Sequence, residues 1–426
     1  MTENTQTPVW SLRNYPSVAW LWSGASVSVF GDALRRMAVL LTVYAVTDGS
    51  GMAVAGITLA EIVPMLALGL IAGVYVDRWD RRRAIILGNT VRGLLSLALV
   101  LAARSQSLGL VYVVIAASEA AGAVVQPAMT AIVPQLVPVA HLAQVNTLFV
   151  LSRQFSLLIG PVVAATAYRV IGAELTFLVD GGTFFVGAGT ALAIRRPREV
   201  EKQAGSDETV GSTWWRDFLN GLARVRGDRL VMALLATIGL QSLGAGINNT
   251  VMIVFINRGL GRAASDIAWL SSANGLAQIL AATVVAPLIR RRGTAGVLAG
   301  ATITMLAGNA ILAGSWSLFV LIVGVLITAL GNSPFTIVHT TVLQQAVGPE
   351  YLGRVQGSLG TLAAVLFMAA SSASGVAVDY VAARSLLIVS AGISASLVVV
   401  TLTRIVPALR AAKRLSSGRS PLRADD

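Results

Sequence analysis

Residues 51–83 read GMAVAGITLAEIVPMLALGLIAGVYVDRWDRRR. From Gly51 to Val76 the run is apolar apart from Glu61, and it ends in a glycine, two aspartates and a block of arginines. As a helix it would be about 39 Å long at 1.5 Å per residue, enough to cross a hydrocarbon layer of about 30 Å with some tilt. Its apolar residues do not keep to one helical face, as they would in a helix lying on a soluble core. The rest of the chain reads the same way. Of its 426 residues 55% are apolar and 12% charged, with a mean hydropathy of +0.75, whereas soluble domains carry about 25% charge. Lipid offers no partner to a free peptide group, so a chain of this composition is expected to be helix nearly throughout.

Apolar segments are predicted at about 17–46, 51–76, 85–103, 108–133, 142–168 and 174–194, and again at 229–257, 266–289, 295–313, 317–344, 354–380 and 384–405. We number these segments 1 to 12. The expected organisation is a six-helix bundle over 1–194, a cytoplasmic linker over 195–228, a second six-helix bundle over 229–405 and a basic tail over 406–426. In the linker, Trp215, Phe218, Leu222 and Val225 recur at helical spacing, as in an amphipathic helix lying on a membrane surface.

Orientation follows from the basic residues, which concentrate in alternate connections. With the N-terminus inside, the cytoplasmic segments hold twenty-three: Arg13, Arg78 with Arg81–Arg83, eight over 195–229, Arg290–Arg292, Arg354 and six from Arg404 to Arg423. The outer connections hold five: Arg104, Arg169, Arg258, Arg262 and Arg384. Positive charge favours the inside, so both termini are expected in the cytoplasm. The formal charge of +12 is spread between apolar segments instead of gathered on one surface, which argues against nucleic acid. The chain has no cysteine, which excludes disulfides, thiolate catalysis and thiolate metal sites. No basic stretch followed by a cleavage site precedes Trp20, so the first segment is expected to direct insertion itself.

The connection after segment 2 has the form G-x-x-x-D-R-x-x-R-R, with Gly73, Asp77, Arg78, Arg81, Arg82 and Arg83 in the named positions or beside them. In position and in the six-plus-six arrangement around it, the chain resembles the major facilitator superfamily of transporters, in particular the bacterial branch of macrolide-efflux and enterobactin-exporter proteins. The likeness extends to Gly160-Pro161 in segment 5, Asp180 in segment 6, Asp217 to Gly221 before segment 7, and Gln344 with Gly353-Arg354-Val355. It implies an all-helical fold of twelve spanning helices and an exporter of the drug:proton antiporter kind. It also implies a cytoplasmic latch in which Gly73 permits close helix approach and Asp77 faces the start of segment 11 near Arg354, with Arg78 and Arg82 beside it. On physical grounds the arginines serve equally as a positive-inside anchor. The matching connection 287–293 keeps three arginines and lacks the acid. Gly160 and Pro161, with Ser156, Ala164 and Ala165, resemble the segment-5 motif of exporters, in which a bent helix with small neighbours packs against the other half.

Ionisable side chains inside a membrane are costly and usually functional. They are Asp32, Arg35 and Arg36 in segment 1, Glu61 in segment 2, Arg92 in segment 3, Glu119 in segment 4, Arg153 in segment 5 and Asp180 in segment 6, four acids and four bases. Asp32 stands at i,i+3 and i,i+4 spacing from Arg35 and Arg36, which permits pairing along one face. Glu61 and Glu119 lie near mid-span, where a carboxyl group can take up and release a proton as access alternates. Asp32, Glu61 and Glu119 are the candidate proton carriers, against a reading in which each acid is fixed in a pair with Arg35, Arg36, Arg92 or Arg153. Asp180 reads as nearer the outer end and structural. The second half offers amides instead, among them Gln241, Asn248, Asn309 and Asn332, with His339 toward the inner part of segment 10. Phe30, Met65, Phe149, Phe155, Met252, Phe255, Phe335 and Phe367 are candidate apolar contacts for a substrate.

The expected partners are a small-molecule substrate, protons and the lipid bilayer, with no nucleic acid, cofactor or metal, and the chain is expected to act as a monomer in a bacterial cytoplasmic membrane. Export of an amphipathic organic molecule is the leading expectation. Siderophore export, nutrient import and a non-transporting receptor or scaffold are the alternatives. An enzyme is disfavoured because the sequence offers no nucleophile with a base, metal cluster or phosphate loop.

Overall fold

The computed structural model describes residues 11–76, 80–138, 141–194, 229–346 and 349–416. Helices joined by short turns make up the described residues, with no strand among them. In order the helices are α1 (Pro16–Val46), α2 (Gly51–Val76), α3 (Arg81–Ser105), α4 (Leu108–Leu136), α5 (Leu142–Ala193), α6 (Arg229–Val254), α7 (Ile267–Gly314), α8 (Leu318–Ala346), α9 (Pro349–Ala377), α10 (Ala383–Val400) and α11 (Val406–Ser416). Single π turns, Phe255–Gly259 and Thr401–Ile405, continue α6 and α10. Among the described residues nine helices are long and apolar enough to cross a membrane.

Two helices are longer than the sequence suggests. Segments 5 and 6 join into α5, and segments 8 and 9 into α7, each across one glycine: Gly172 at φ 79° and ψ 174°, Gly293 at φ 71° and ψ 164°. Only glycine adopts that backbone without strain, and it changes the chain's course in one residue where a loop had been expected. A straight helix of 52 residues would run about 78 Å, more than twice the hydrocarbon thickness, so the two arms of α5 must be separate spans.

Helix starts also differ from expectation for local reasons. The helix after the arginine-rich connection begins at Arg81, because the Asp80 carboxylate accepts from the backbone N–H groups of Arg82 and Arg83 at 2.9 and 3.2 Å. This is an N-cap one residue before the expected anchor block. α9 begins at Pro349, a residue suited to the first helical position, so Arg354 lies in its second turn and not at its start.

The chain divides into two compact units, residues 1–49 with 56–208, and residues 50–55 with 209–426. In the first, α1 and α3 pack on α5, and α3 on α4. Val18, Leu21, Ile85, Ile132, Val145 and Ala191 form one apolar cluster there. In the second, α7 packs on α8 and α10, and α6 on α9 and α10, around Leu234, Leu298, Met305, Phe335, Val338 and Leu397. Large apolar side chains also cover the outside of both units, among them Leu101, Val113, Trp269, Leu280 and Ile388. A lipid solvent, unlike water, tolerates such a surface.

Candidate functional site

In the first unit four helices bring their mid-span charges together. α1 supplies Asp32 and Arg35, which face one way because i and i+3 share a helix face; their side chains meet at 3.2 Å. Arg35 is 1% exposed and also donates to Glu119 of α4 at 2.7 Å. Its Nε lies 3.9 Å from Asp180 of α5. Arg92 of α3 donates to the same Asp32 oxygen at 2.6 Å and lies over the Phe184 ring at 4.2 Å, a cation–π contact that shields its other side. Asp180 has no exposed surface, and its Oδ2 is within hydrogen-bond reach of the Ser96 hydroxyl. The remaining pair, Arg36 with Glu61 of α2 at 3.9 Å, is looser, with Arg36 58% exposed.

Of the expected pairings, the structure forms Asp32 with Arg35, places Arg36 against Glu61 instead of Asp32, and adds Glu119 and Asp180 to the same guanidinium. One expectation is corrected. Arg153 is exposed and, among the described residues, makes no ion pair; the balance of four acids against four bases therefore does not hold inside the cluster. Asp180 stands eight residues beyond the break at Gly172, about 12 Å along the axis, and meets the same arginine as the mid-span residues of α1 and α4.

The resembled motifs divide between described and undescribed residues. Gly73 lies within α2 and Arg354 within α9, whereas Asp77, Arg78 and the expected amphipathic helix 215–225 fall outside the described residues. Arg82 is seen: its guanidinium donates to the carbonyl oxygens of Ala191, at 2.9 Å, and Leu192, in the last turn of α5. Arg81 reaches the Ala131 carbonyl of α4 at 2.8 Å. These arginines brace helix ends within their own unit.

Gly160 and its small neighbours serve a contact the sequence did not reveal. A Cβ at Gly160 would stand 2.6 Å from that of Ala33, and Ser156 donates to the Val29 carbonyl at 3.0 Å. Four residues earlier Ser152 accepts from Trp22 and Ser26 at 2.9 and 2.8 Å. This face of α5 is thus taken up by α1 of the same unit, with Pro161 beside it.

The second unit is held by amides across helices. Asn248 of α6 donates to Asn309 of α7 at 2.9 Å, Asn309 donates to Ser394 of α10 at 3.0 Å, and Gln241 of α6 donates to Asn332 of α8 at 3.3 Å. His339 is buried; its Nε2–H donates to the Leu234 carbonyl at 2.9 Å and its ring packs on Phe335. Of the apolar candidates, Met252, Phe255 and Phe335 are core residues, whereas Met65 and Phe155 are exposed.

The sequence reading passed over Asp379. At the end of α9, its carboxylate accepts from the backbone N–H groups of Gly51 and Met52 at 3.2 and 3.5 Å and from the Ser50 hydroxyl at 3.2 Å. Arg258 donates to it at 3.2 Å. An acid from another helix therefore caps the first turn of α2. Its partner, more than three hundred residues away, was not legible in the sequence. Among the described residues no group of His, Asp and Glu is placed to hold a metal.

Comparison with known proteins places this geometry in context. The family model described as Major Facilitator Superfamily matches residues 21–246 and 234–424. The chain is 25% identical over 374 residues to the uncharacterized MFS-type transporter YfiS of Bacillus subtilis, covering 84% of this chain and 86% of that protein. It is 24% identical over 360 residues to macrolide efflux protein A of Streptococcus pyogenes, covering 83% and 86%. Among solved structures, a bacterial homologue of the iron transporter ferroportin in its inward-facing state aligns with a TM-score of 0.74 at 13% identity, over 93% of this chain and all of that one. The nucleoside transporter NupG aligns at 0.73 and 12% identity, over 91% and 98%. At these identities the structures show the fold alone.

Proposed function

Because the chain belongs to the major facilitator superfamily, we propose that it exports amphipathic small molecules of the drug or antibiotic kind, driven by protons entering in exchange. Twelve spanning helices, both termini in the cytoplasm and a bacterial cytoplasmic membrane complete the reading. The observation that carries it is the joined group of Asp32, Arg35, Arg92, Glu119 and Asp180 in the apolar interior of the first unit. Charges at that depth are retained against a cost of several kcal/mol when they move a proton or an ionic ligand. Three carboxylates in contact with two guanidinium groups form a set in which one proton more or less redistributes every pair.

The direction of transport rests on the resemblance to macrolide efflux protein A, which is named for efflux, and so does the suggestion of antibiotic resistance. In this reading Asp32 and Glu119, the partly exposed members, meet the substrate, Glu61 with Arg36 flanks them, and Asp77 with Gly73 and Arg78 provides the cytoplasmic latch.

The test is transport by purified protein in liposomes, with a panel of macrolides, dyes and siderophores and an imposed pH difference of either sign. Export that grows with an inward proton gradient and collapses with an uncoupler is expected, and Asp32→Asn, Glu61→Gln and Glu119→Gln should each be assayed. Full gradient-driven activity in all three variants would remove these acids from the coupling step. Accumulation in the opposite sense would make the protein an importer.

A further inference from the structure

We infer that Asp180 is the carboxyl group that holds the cluster's proton, kept as a neutral acid by Ser96 and released against Arg35. The inference rests on the proton-coupled reading above for its consequence, but its ground is the geometry of the site.

Charge counting comes first. With Arg153 exposed and apart, the innermost group has Asp32, Glu119 and Asp180 against Arg35 and Arg92, one carboxylate more than its guanidinium groups balance. The pair at its border, Glu61 with Arg36, is self-balanced and leaves the surplus unchanged. A buried uncompensated charge is far costlier than a neutral acid, so one of the three is protonated.

Hydrogen bonding decides which. One oxygen of Asp32 accepts from both Arg35 and Arg92, at 3.2 and 2.6 Å, and Glu119 accepts from Arg35 at 2.7 Å. These are charge-assisted bonds that favour the ionised form. Asp180 has neither. Its Oδ1 has no hydrogen-bond partner, the Arg35 Nε that faces its Oδ2 is likewise unpartnered at 3.9 Å, and the residue has no exposed surface. Its one close partner is Ser96, whose hydroxyl lies within reach of both Asp180 Oδ2 and the Phe177 carbonyl oxygen at 3.2 Å. A hydroxyl has a single hydrogen. If Ser96 gives it to Phe177, the bond to Asp180 is made by a proton on Asp180, and both contacts are satisfied together.

Release then has a defined effect. When the proton passes to water, Asp180 becomes a carboxylate, the Ser96 hydrogen turns from Phe177 to Oδ2, and the free Nε–H of Arg35 closes the remaining gap. Arg35 is then drawn from Asp32 and Glu119, whose side chains are 23% and 14% exposed. Glu119 is thereby freed for a substrate, while Asp32 keeps Arg92. Among the described residues the charged groups that face Asp180 are Arg35 and Asp32 from α1 and Arg92 from α3, with Glu119 of α4 on the far side of Arg35.

Infrared difference spectra of the purified protein in liposomes, taken across a pH titration, test the assignment. The carbonyl stretch of a protonated carboxyl should be present in the wild type and absent in Asp180→Asn. Melting temperature provides the second measurement. Asparagine is shaped like a neutral aspartic acid, so Asp180→Asn should melt with the wild type while Asp32→Asn melts lower. A band that survives in Asp180→Asn overturns the inference, and so does an Asp180→Asn protein that unfolds as readily as Asp32→Asn or fails to fold. Neither measurement needs substrate. Wild-type export that ignores the pH gradient would sink the proton-coupled reading, while these two measurements would still decide Asp180.

Discussion

Replacing Arg35 by methionine keeps a flexible apolar stem while removing the guanidinium. The side chain is 1% exposed and joins Asp32 at 3.2 Å and Glu119 at 2.7 Å. Bonds between such charged partners contribute about 1.5–3 kcal/mol each, and breaking a buried ion pair from one side typically destabilises by about 3–5 kcal/mol because the other charge is stranded. Asp32 keeps Arg92 at 2.6 Å; Glu119 keeps no other ion pair among the described residues. The expected loss for Arg35→Met is therefore about 3–5 kcal/mol, most of it chargeable to Glu119. A second substitution follows from that. Glu119→Gln alone should destabilise, yet on the Arg35→Met background it should restore stability, with a coupling energy of about 1–3 kcal/mol. Unfolding by sodium dodecyl sulfate in mixed micelles, followed by the fluorescence of the chain's eight tryptophans, measures all four proteins. An Arg35→Met variant within about 0.5 kcal/mol of the wild type, or additive losses in the double variant, would refute the argument.

Three further outcomes are expected. Asp379→Ala removes the acceptor that serves Gly51, Met52, Ser50 and Arg258; loss of a helix cap costs about 0.5–2 kcal/mol, read as a lower melting temperature, and Asp379→Asn should recover part of it. Gly160→Ala places a methyl group 2.6 Å from the Ala33 Cβ and should destabilise by about 1–3 kcal/mol, a loss that Ala33→Gly relieves if the clash is its cause. His339→Leu leaves the Leu234 carbonyl without its side-chain donor and should lower stability by about 1 kcal/mol while leaving the pH profile of transport in place; a shifted profile would put the imidazole in the proton path.

The spans, the two apolar blocks and the identities of the buried charges could be read from composition and periodicity, because each lies along the chain. Their partners could not. In a soluble helix the apolar stripe tells which face turns inward, but a helix bathed in lipid is apolar on both faces: Met65 and Phe155 are exposed while Phe255 and Phe335 are core, and nothing in their spacing distinguishes them. For the same reason Arg153 reads like Arg92 in the sequence, although one lies outside the cluster and the other is 9% exposed within it. Asp32 with Arg35 was legible because both stand on one helix. The convergence of Glu119 and Asp180 on Arg35 was not, since 84 and 145 positions separate them. The arginine block after α2 read as an anchor, whereas Arg81 and Arg82 are spent on carbonyl groups at the ends of α4 and α5, partners that only the fold supplies.

The glycine corners at Gly172 and Gly293 bear on how this protein can be handled in the laboratory. Each turns the chain within one residue that no side-chain-bearing amino acid can replace cheaply. An epitope tag, a fluorophore site or a fused reporter placed at either corner would have to unwind a turn of helix on both sides, so topology mapping there should misfold the very spans it sets out to locate. The connection between Val46 and Gly51, with non-helical residues of its own, is a safer place to begin.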